Sequence, residues 1–340
     1  MVFIVPGGGL ACSFHNYLPD RTIVDRMVES EHIVLARPGP DNPFRYHAIE
    51  AIEGGVDDVD IPHLVDSASR RKFAANPADV ALFARDGAYG PWVKLAHVDA
   101  AYAPVIDAVS RRLATWRLGS DGRDRFQFFA GLQAHPDAAV RRLALAELDR
   151  APYAVLRDLD ITVGAEGLIR DLPRRTESGL LPIRVLLLGL SDSEDARVIL
   201  SDGVERLAMR DSDPALGAYA TALIELDPEG GIALVGRLLA DDLSPDAAES
   251  LIEASAIHAE AGAKDTDALH AAVAAAVAAR PSLALPVARQ FGVRRDYTHA
   301  PLLDRLLRGG AFKSVPEVFA VSHYVALADA PPRGGDAGGG

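Results

Sequence analysis

The side chains with chemistry to offer are spread thinly along this chain. Ten histidines punctuate 340 residues. A hydrolytic zinc centre would need two of them on one helix face with a general base between, as in His-Glu-x-x-His. Neither that pattern nor His-x-x-x-His occurs, and His258 and His270 stand twelve apart with no acidic motif between them. A phosphate loop needs glycines ending in Gly-Lys-Ser/Thr at a helix start. Pro6-Gly7-Gly8-Gly9-Leu10 and Glu229-Gly230-Gly231 both lack that end. No Gly-x-Ser-x-Gly turn is present to expose a nucleophilic serine. Asp57-Asp58-Val59-Asp60 offers hard oxygens, but without a glycine turn or a bidentate Glu it reads as an acidic solvated turn. Cys12 is the single cysteine, which excludes an intrachain disulfide and a cysteine-based zinc site. The residues therefore single out no catalytic, cofactor-binding or metal-binding position, and no cofactor is expected. The expectation is a protein that is not an enzyme.

Composition narrows the partners. Net charge is −13, so phosphate backbones are repelled unless a basic patch is concentrated somewhere. The pairs Arg70-Arg71, Arg111-Arg112, Arg141-Arg142, Arg174-Arg175 and Arg294-Arg295 are dispersed among acids and read as solvated helix faces. Aromatic residues make up 6%, too few for a base-stacking platform. Nucleic acid is not an expected partner. No apolar run is long enough for a membrane-spanning helix. Positive charge rests on Arg, with Lys only at 72, 94, 264 and 313, a bias typical of GC-rich bacterial genes.

The first residues resemble the end of an export signal. Met1-Val2-Phe3-Ile4-Val5 is apolar, Pro6 to Gly9 break it, and Gly9 and Ala11 stand at −3 and −1 relative to Cys12. That pattern predicts a residual signal peptide over 1–11, a periplasmic or extracellular protein, and a possible lipid anchor on Cys12. A buried first strand ending in a glycine turn is the competing reading.

Hydropathy then divides the chain in two. Residues 12–118 read as β-rich. Strands are expected over His32 to Arg37, Phe44 to Ile52, Ile61 to Val65, Val80 to Ala84 and Trp92 to Val98, with Trp92 anchoring the core. A short helix is expected over Asp20 to Ser30 and a closing one over Tyr102 to Trp116. Five short strands with turns between them suit a small barrel or sandwich. From 119 to 330 strand signals vanish. Helical stretches recur between Pro, Gly and Asp breaks, most clearly in Asp121 to Ala151, where Asp137 can cap the return helix. One such hairpin cannot bury its apolar face alone, so the units are expected to stack as an irregular solenoid rather than close into a bundle. Residues 331–340 read as a disordered tail. The fold class expected is α+β, a small β-barrel or sandwich followed by an all-α solenoid.

Asp137-Ala-Ala-Val140-Arg141-Arg-Leu-Ala144-Leu-Ala-Glu-Leu148 resembles the second helix of a HEAT repeat. The resemblance implies that Asp137 caps, that Arg141 bridges to a neighbouring repeat and that Ala144 lets helices approach. Cys12-Ser13, followed by a short helix, strands and a terminal helix, faintly resembles a netrin-type domain built on an OB-type barrel. Phe14 stands where that family has a second cysteine.

The function expected is a non-enzymatic exported adaptor that holds a protein or peptide on its helical-repeat surface. The alternatives are a netrin-like inhibitor or ligand-binding module acting through the Cys12 end, and an enzyme whose site assembles only in space.

Overall fold

The computed structural model describes residues 14–57, 59–87, 89–119, 122–161, 164–172, 179–262 and 265–330. The expected signal segment, Cys12 with its lipid anchor, and the 331–340 tail lie outside the described residues. The architecture is α+β: seventeen helices and one four-stranded antiparallel sheet among the described residues. No helix among them is long and apolar enough to cross a membrane.

Two compact units share the chain. One runs through Pro19–Ala151 with Leu159–Thr162; the other takes up the N-terminal segment to Leu18 together with Pro152–Asp158 and everything after Val163.

The sheet unit holds β1 (His32–Pro38), β2 (Tyr46–Glu53), β3 (Val80–Arg85) and β4 (Val93–Val98) in the order β2-β1-β3-β4. The edges β2 and β4 do not pair, so the sheet is open. It is neither the expected barrel nor, being one sheet, a sandwich, and the OB-type closure implied by the netrin-like resemblance is not formed. One reason is visible at residues 61–65. Ile61 and Val65 are buried as the sequence suggested, but the segment contributes only the isolated Arg45↔Leu64 bridge and supplies no fifth strand. Helices cover both faces instead. Ile33, Leu82 and Ala84 point into a core with α1 (Ile23–Glu29), α3 (Ala103–Ser110) and α4 (Leu113–Leu118). Their neighbours Val34, Ala36, Ala81 and Phe83 point the other way, against Tyr46, Trp92 and Phe73 of α2 (Ser67–Ala75). That two-sided burial is why β3 reads as an unbroken apolar run. The long helix expected over Tyr102 to Trp116 is split at Arg111-Arg112 into α3 and α4.

The sheet core extends into the hairpin of α5 (Arg123–Ala130) and α6 (Ala138–Leu148), whose Phe129, Val140, Leu143 and Ala144 join Ile33 and Leu82. Asp137 caps α6 as its sequence position implied, accepting from Ala139 N and Val140 N at 2.8 and 3.1 Å. Arg141 turns back on its own turn, donating to the carbonyls of His135 and Pro136 at 2.6 and 2.7 Å.

In the helical unit, α7 (Tyr153–Arg157) and α8 (Ala165–Asp171) precede nine further described helices: α9 (Leu181–Gly189), α10 (Glu194–Ala208), α11 (Leu216–Leu226), α12 (Pro228–Ala240), α13 (Pro245–Glu260), α14 (Thr266–Ala279), α15 (Ala284–Val293), α16 (Ala300–Arg308) and α17 (Val315–Ala328). Side-chain caps begin most of the long ones: Ser193 for α10, Asp227 for α12, Ser244 for α13 and a Ser314/Glu317 capping box for α17. The odd-numbered helices pack on one another in turn, α9 on α11, α11 on α13, α13 on α15, α15 on α17, while α12 packs on both α11 and α14. The approach is closest at Gly189 of α9, where a Cβ would stand 2.5 Å from the backbone of Ala222.

Candidate docking groove at the end of the helical unit

Among the described residues the odd-numbered series runs as far as α17, and this step is built differently from the others. The sequence Val-Pro-Glu-Val-Phe-Ala-Val-Ser-His-Tyr-Val-Ala-Leu-Ala carries one charge, yet only Val321 and Tyr324 are buried. Val315 is 82% exposed and Phe319 73%, and Val318 and Leu327 also face solvent. A helix apolar on every side is normally covered on every side. Between α15 and α17 runs a groove of about 340 Å³ floored by Ala288, Gly292, Val293, Ala320, Tyr324 and Leu327. Gly292 makes the floor: a Cβ there would press on the Tyr324 ring at 3.2 Å. Phe319 lies at the rim, its ring stacked parallel to His323 with centroids 6.4 Å apart.

Two polar networks hold the groove's walls. Under α17, Tyr324 donates to the carbonyl of Asp296 at 2.7 Å. The Asp296 carboxylate meets His270 Nε2 at 3.2 Å, and His270 Nδ1 meets His299 Nε2 at 3.2 Å. Burial works against the Asp296 charge, but the hydrogen bond from His270 holds its carboxyl well below the usual range. Burial and the neighbouring His270 push His299 down to about 4, so it stays neutral. Arg295, just before Asp296, sits in left-handed backbone (φ 58°), which turns the chain from α15 toward α16. Beside α15, Gln290 donates to Glu249 at 2.9 Å, and Arg294 lies near Glu253 and Glu260 at 3.9 and 3.3 Å. His15 closes this second network, its backbone and Nδ1 reaching Glu253 at 2.8 and 2.9 Å. The Glu253 hydrogen bond raises the His15 pKa.

His15 belongs to a tight turn, Phe14–Tyr17, with Tyr17 N donating to Phe14 O at 2.8 Å. Phe14 is 4% exposed, and a side chain at Gly217 of α11 would collide with its ring. Asn16 donates to Asp213 O at 3.3 Å and the Tyr17 hydroxyl to Gly179 O at 2.7 Å.

Other ionisable clusters each lie within one unit. Burial drives His258 down to about 4 beside Glu225 and Arg157, a pair 2.8 Å apart. In the sheet unit Arg125 joins Asp25 and Glu147 at 2.8 and 2.6 Å, and burial pushes the Glu147 carboxyl up to about 7. Glu147 has no exposed surface, so no substrate reaches it. Lys94 donates to Ser69 Oγ at 2.7 Å and to the Tyr46 hydroxyl at 2.9 Å. That looks like a serine–lysine pair, but the Ser69 hydroxyl is spent on Asp66 at 2.8 Å, and the Ser69 amide on the same carboxylate. These bonds tie α2 to the sheet.

Trp92 lies in the sheet core as expected, 5% exposed. Among the described residues, no three His, Cys, Asp or Glu converge as a metal-holding group. The contact of His270 with His299, twenty-nine positions apart, carries no sequence signal at all. Compared with known protein families, curated proteins and solved structures, the chain matches none of them.

Proposed function

We propose that the helical unit is an irregular α-solenoid of HEAT type and acts as a binding scaffold, seating an apolar-faced helix of a partner protein in the groove between α15 and α17. The single observation that carries this reading is the bare outer side of α17, with Phe319 73% exposed at the rim of a groove about 340 Å³ in size. Each odd-numbered helix before α17 is covered by the next. α17 has no successor among the described residues, so a partner's helix would occupy the position the series leaves open, presenting side chains at i, i+3/i+4 and i+7. The volume falls within the range of sites that accept several side chains.

Selection of a helical-peptide display library on the immobilised full chain tests it. The expected result is peptides with one apolar stripe whose affinity drops at least tenfold on Phe319→Glu, with the thermal midpoint unchanged. Peptides indifferent to that substitution would overturn the reading. So would a Phe319-dependent dimer of the chain in light scattering, since a second copy would then be the occupant.

A further inference from the structure

We infer that the Phe14–Tyr17 turn is a proton-sensitive latch: His15 shares Glu253 with Arg294, and loss of the positive charge on His15 loosens both the turn and the α15 wall of the groove. The turn, its seat and the groove all belong to the helical unit. Glu253 is 3% exposed. One of its oxygens, Oε2, accepts from His15 N at 2.8 Å and from His15 Nδ1 at 2.9 Å. The other, Oε1, faces Arg294 beside α15 at 3.9 Å. A buried carboxylate thus has two claimants, one on the N-terminal turn and one at the end of α15. One turn earlier on α13, Glu249 repeats the arrangement. It pairs with Arg289 and accepts from Gln290, both on α15, and its charge also acts on His15. Arg289 lines the groove, and Arg294 directly follows the groove residue Val293.

The seat is shaped to hold His15 at that carboxylate. Phe14 fills a slot that exists because position 217 is glycine, since a Cβ there would stand 2.4 Å from its ring. Asn16 and Tyr17 reach the backbone carbonyls of Asp213 and Gly179, which carry no titrating proton. The charged groups around the seat are Asp246, Glu249, Glu253 and Glu260 on α13, Arg289 and Arg294 from α15, and Asp213 ahead of α11. Arg210 matches Asp213 at 2.7 Å. The four α13 carboxylates then meet only the two guanidiniums from α15, an imbalance that favours a proton on His15. The Glu253 hydrogen bond is the main cause that raises the His15 pKa; partial burial opposes it, and the charges of Glu253, Glu249 and Asp246 add to it. A raised histidine holds the turn fully below about pH 6.5, and that contribution fades as the pH climbs through the folded value. The neutral ring still donates from Nδ1, but a charge-assisted bond is about twice as strong as a neutral one. With His15 neutral the turn opens more often. Each opening admits water to Glu253 and screens its attraction for Arg294, so the α15 wall loosens with the turn.

Any effect on a docked partner rests on the groove reading above, but the latch is measured on the full chain alone, so the two fail separately. Hydrogen exchange read by mass spectrometry over 14–18 and 288–294 follows the turn and the groove wall locally. Locality matters because burial puts the Glu147 carboxyl of the sheet unit at about 7, inside the same window. Between about pH 6 and about pH 8.5, protection factors of both segments should fall at least about threefold. His15→Gln, which cannot take up the proton, should show the lower protection at both pH values. An NMR titration of the His15 ring, identified by the signal that His15→Gln removes, should give a midpoint above about 6.5. A midpoint at or below that value overturns the inference. So does a fall in protection that is equally large in His15→Gln, or one confined to 14–18.

Discussion

Helices α11 and α17 are near twins in composition and opposites in burial. Both are dominated by Ala, Leu, Val and Ile, and each holds one acidic residue. In α11 the run Leu216–Ile224 is buried without interruption, enclosed by α9, α10, α12 and α13. α17 buries two side chains, and its others are half-buried or exposed. Burial of a helix in a stacked series is thus decided by its place in the series and only loosely by its residues. An interior helix has neighbours on all sides, and a terminal one does not. A helix with an interior helix's residues and, among the described residues, no further helix packed on it is the anomaly on which the docking reading rests.

The comparison can be broken from either side, and the largest effect is expected in the sealed interior. Gly189→Leu would drive a side chain into the backbone of Ala222, where nothing flexible can yield. It should cost more than about 3 kcal/mol, the upper end for overpacked cores, and abolish cooperative unfolding of the helical unit in urea. A milder result would mean that α9 and α11 are looser than described. Next comes the internal contrast within α17. Tyr324→Ala removes a buried ring and its bond to Asp296 O and should cost about 3 kcal/mol. Urea midpoints for Tyr324→Ala and Phe319→Ala that coincide would contradict the burial assigned to α17.

Acid gives a third, intermediate test. His258 and His299 both have pKa values of about 4, below the ordinary histidine value near 6.5. A depressed histidine must take up its proton mainly in the unfolded chain. Its contribution is thus complete above about pH 6.5 and is lost as the pH falls toward 4. The helical unit should lose about 1–3 kcal/mol per histidine across that window, read as urea midpoints at successive pH values. His258→Gln should flatten the slope. A midpoint indifferent to pH from 6.5 to 4 would show that these rings are hydrated. The smallest effect is expected at Phe319→Ser, within about 0.5 kcal/mol of the parent chain, as for exposed positions generally. Its whole consequence should appear in peptide capture.

The same pair of helices shows how far the residues alone reach. Helical stretches between Pro, Gly and Asp breaks were legible from 119 onward, because residues such as Asp137 sit just ahead of regular apolar patterns and do cap the helix that follows. α2 was illegible: Ser-Ala-Ser-Arg-Arg-Lys-Phe-Ala-Ala buries only Ser69 and Phe73, so it has almost no apolar period to read, and its one signal was the Asp66 cap. Residues 61–65 have strand-like residues but lack a strand to pair with. The groove was illegible for a deeper reason, since nothing in Val315 to Ala328 distinguishes an uncovered helix from a covered one.

The Phe14–Tyr17 turn has a consequence for how the chain is made. Its seats at Asp213, Gly217 and Glu253 lie about two hundred residues downstream, with the sheet unit's main span encoded between. During synthesis Phe14 emerges early and stays without its pocket until α11 and α13 have left the ribosome. The helical unit is therefore closed by a turn synthesised well before the pocket it fills, and a fragment beginning at residue 120 would be missing one of its own wedges.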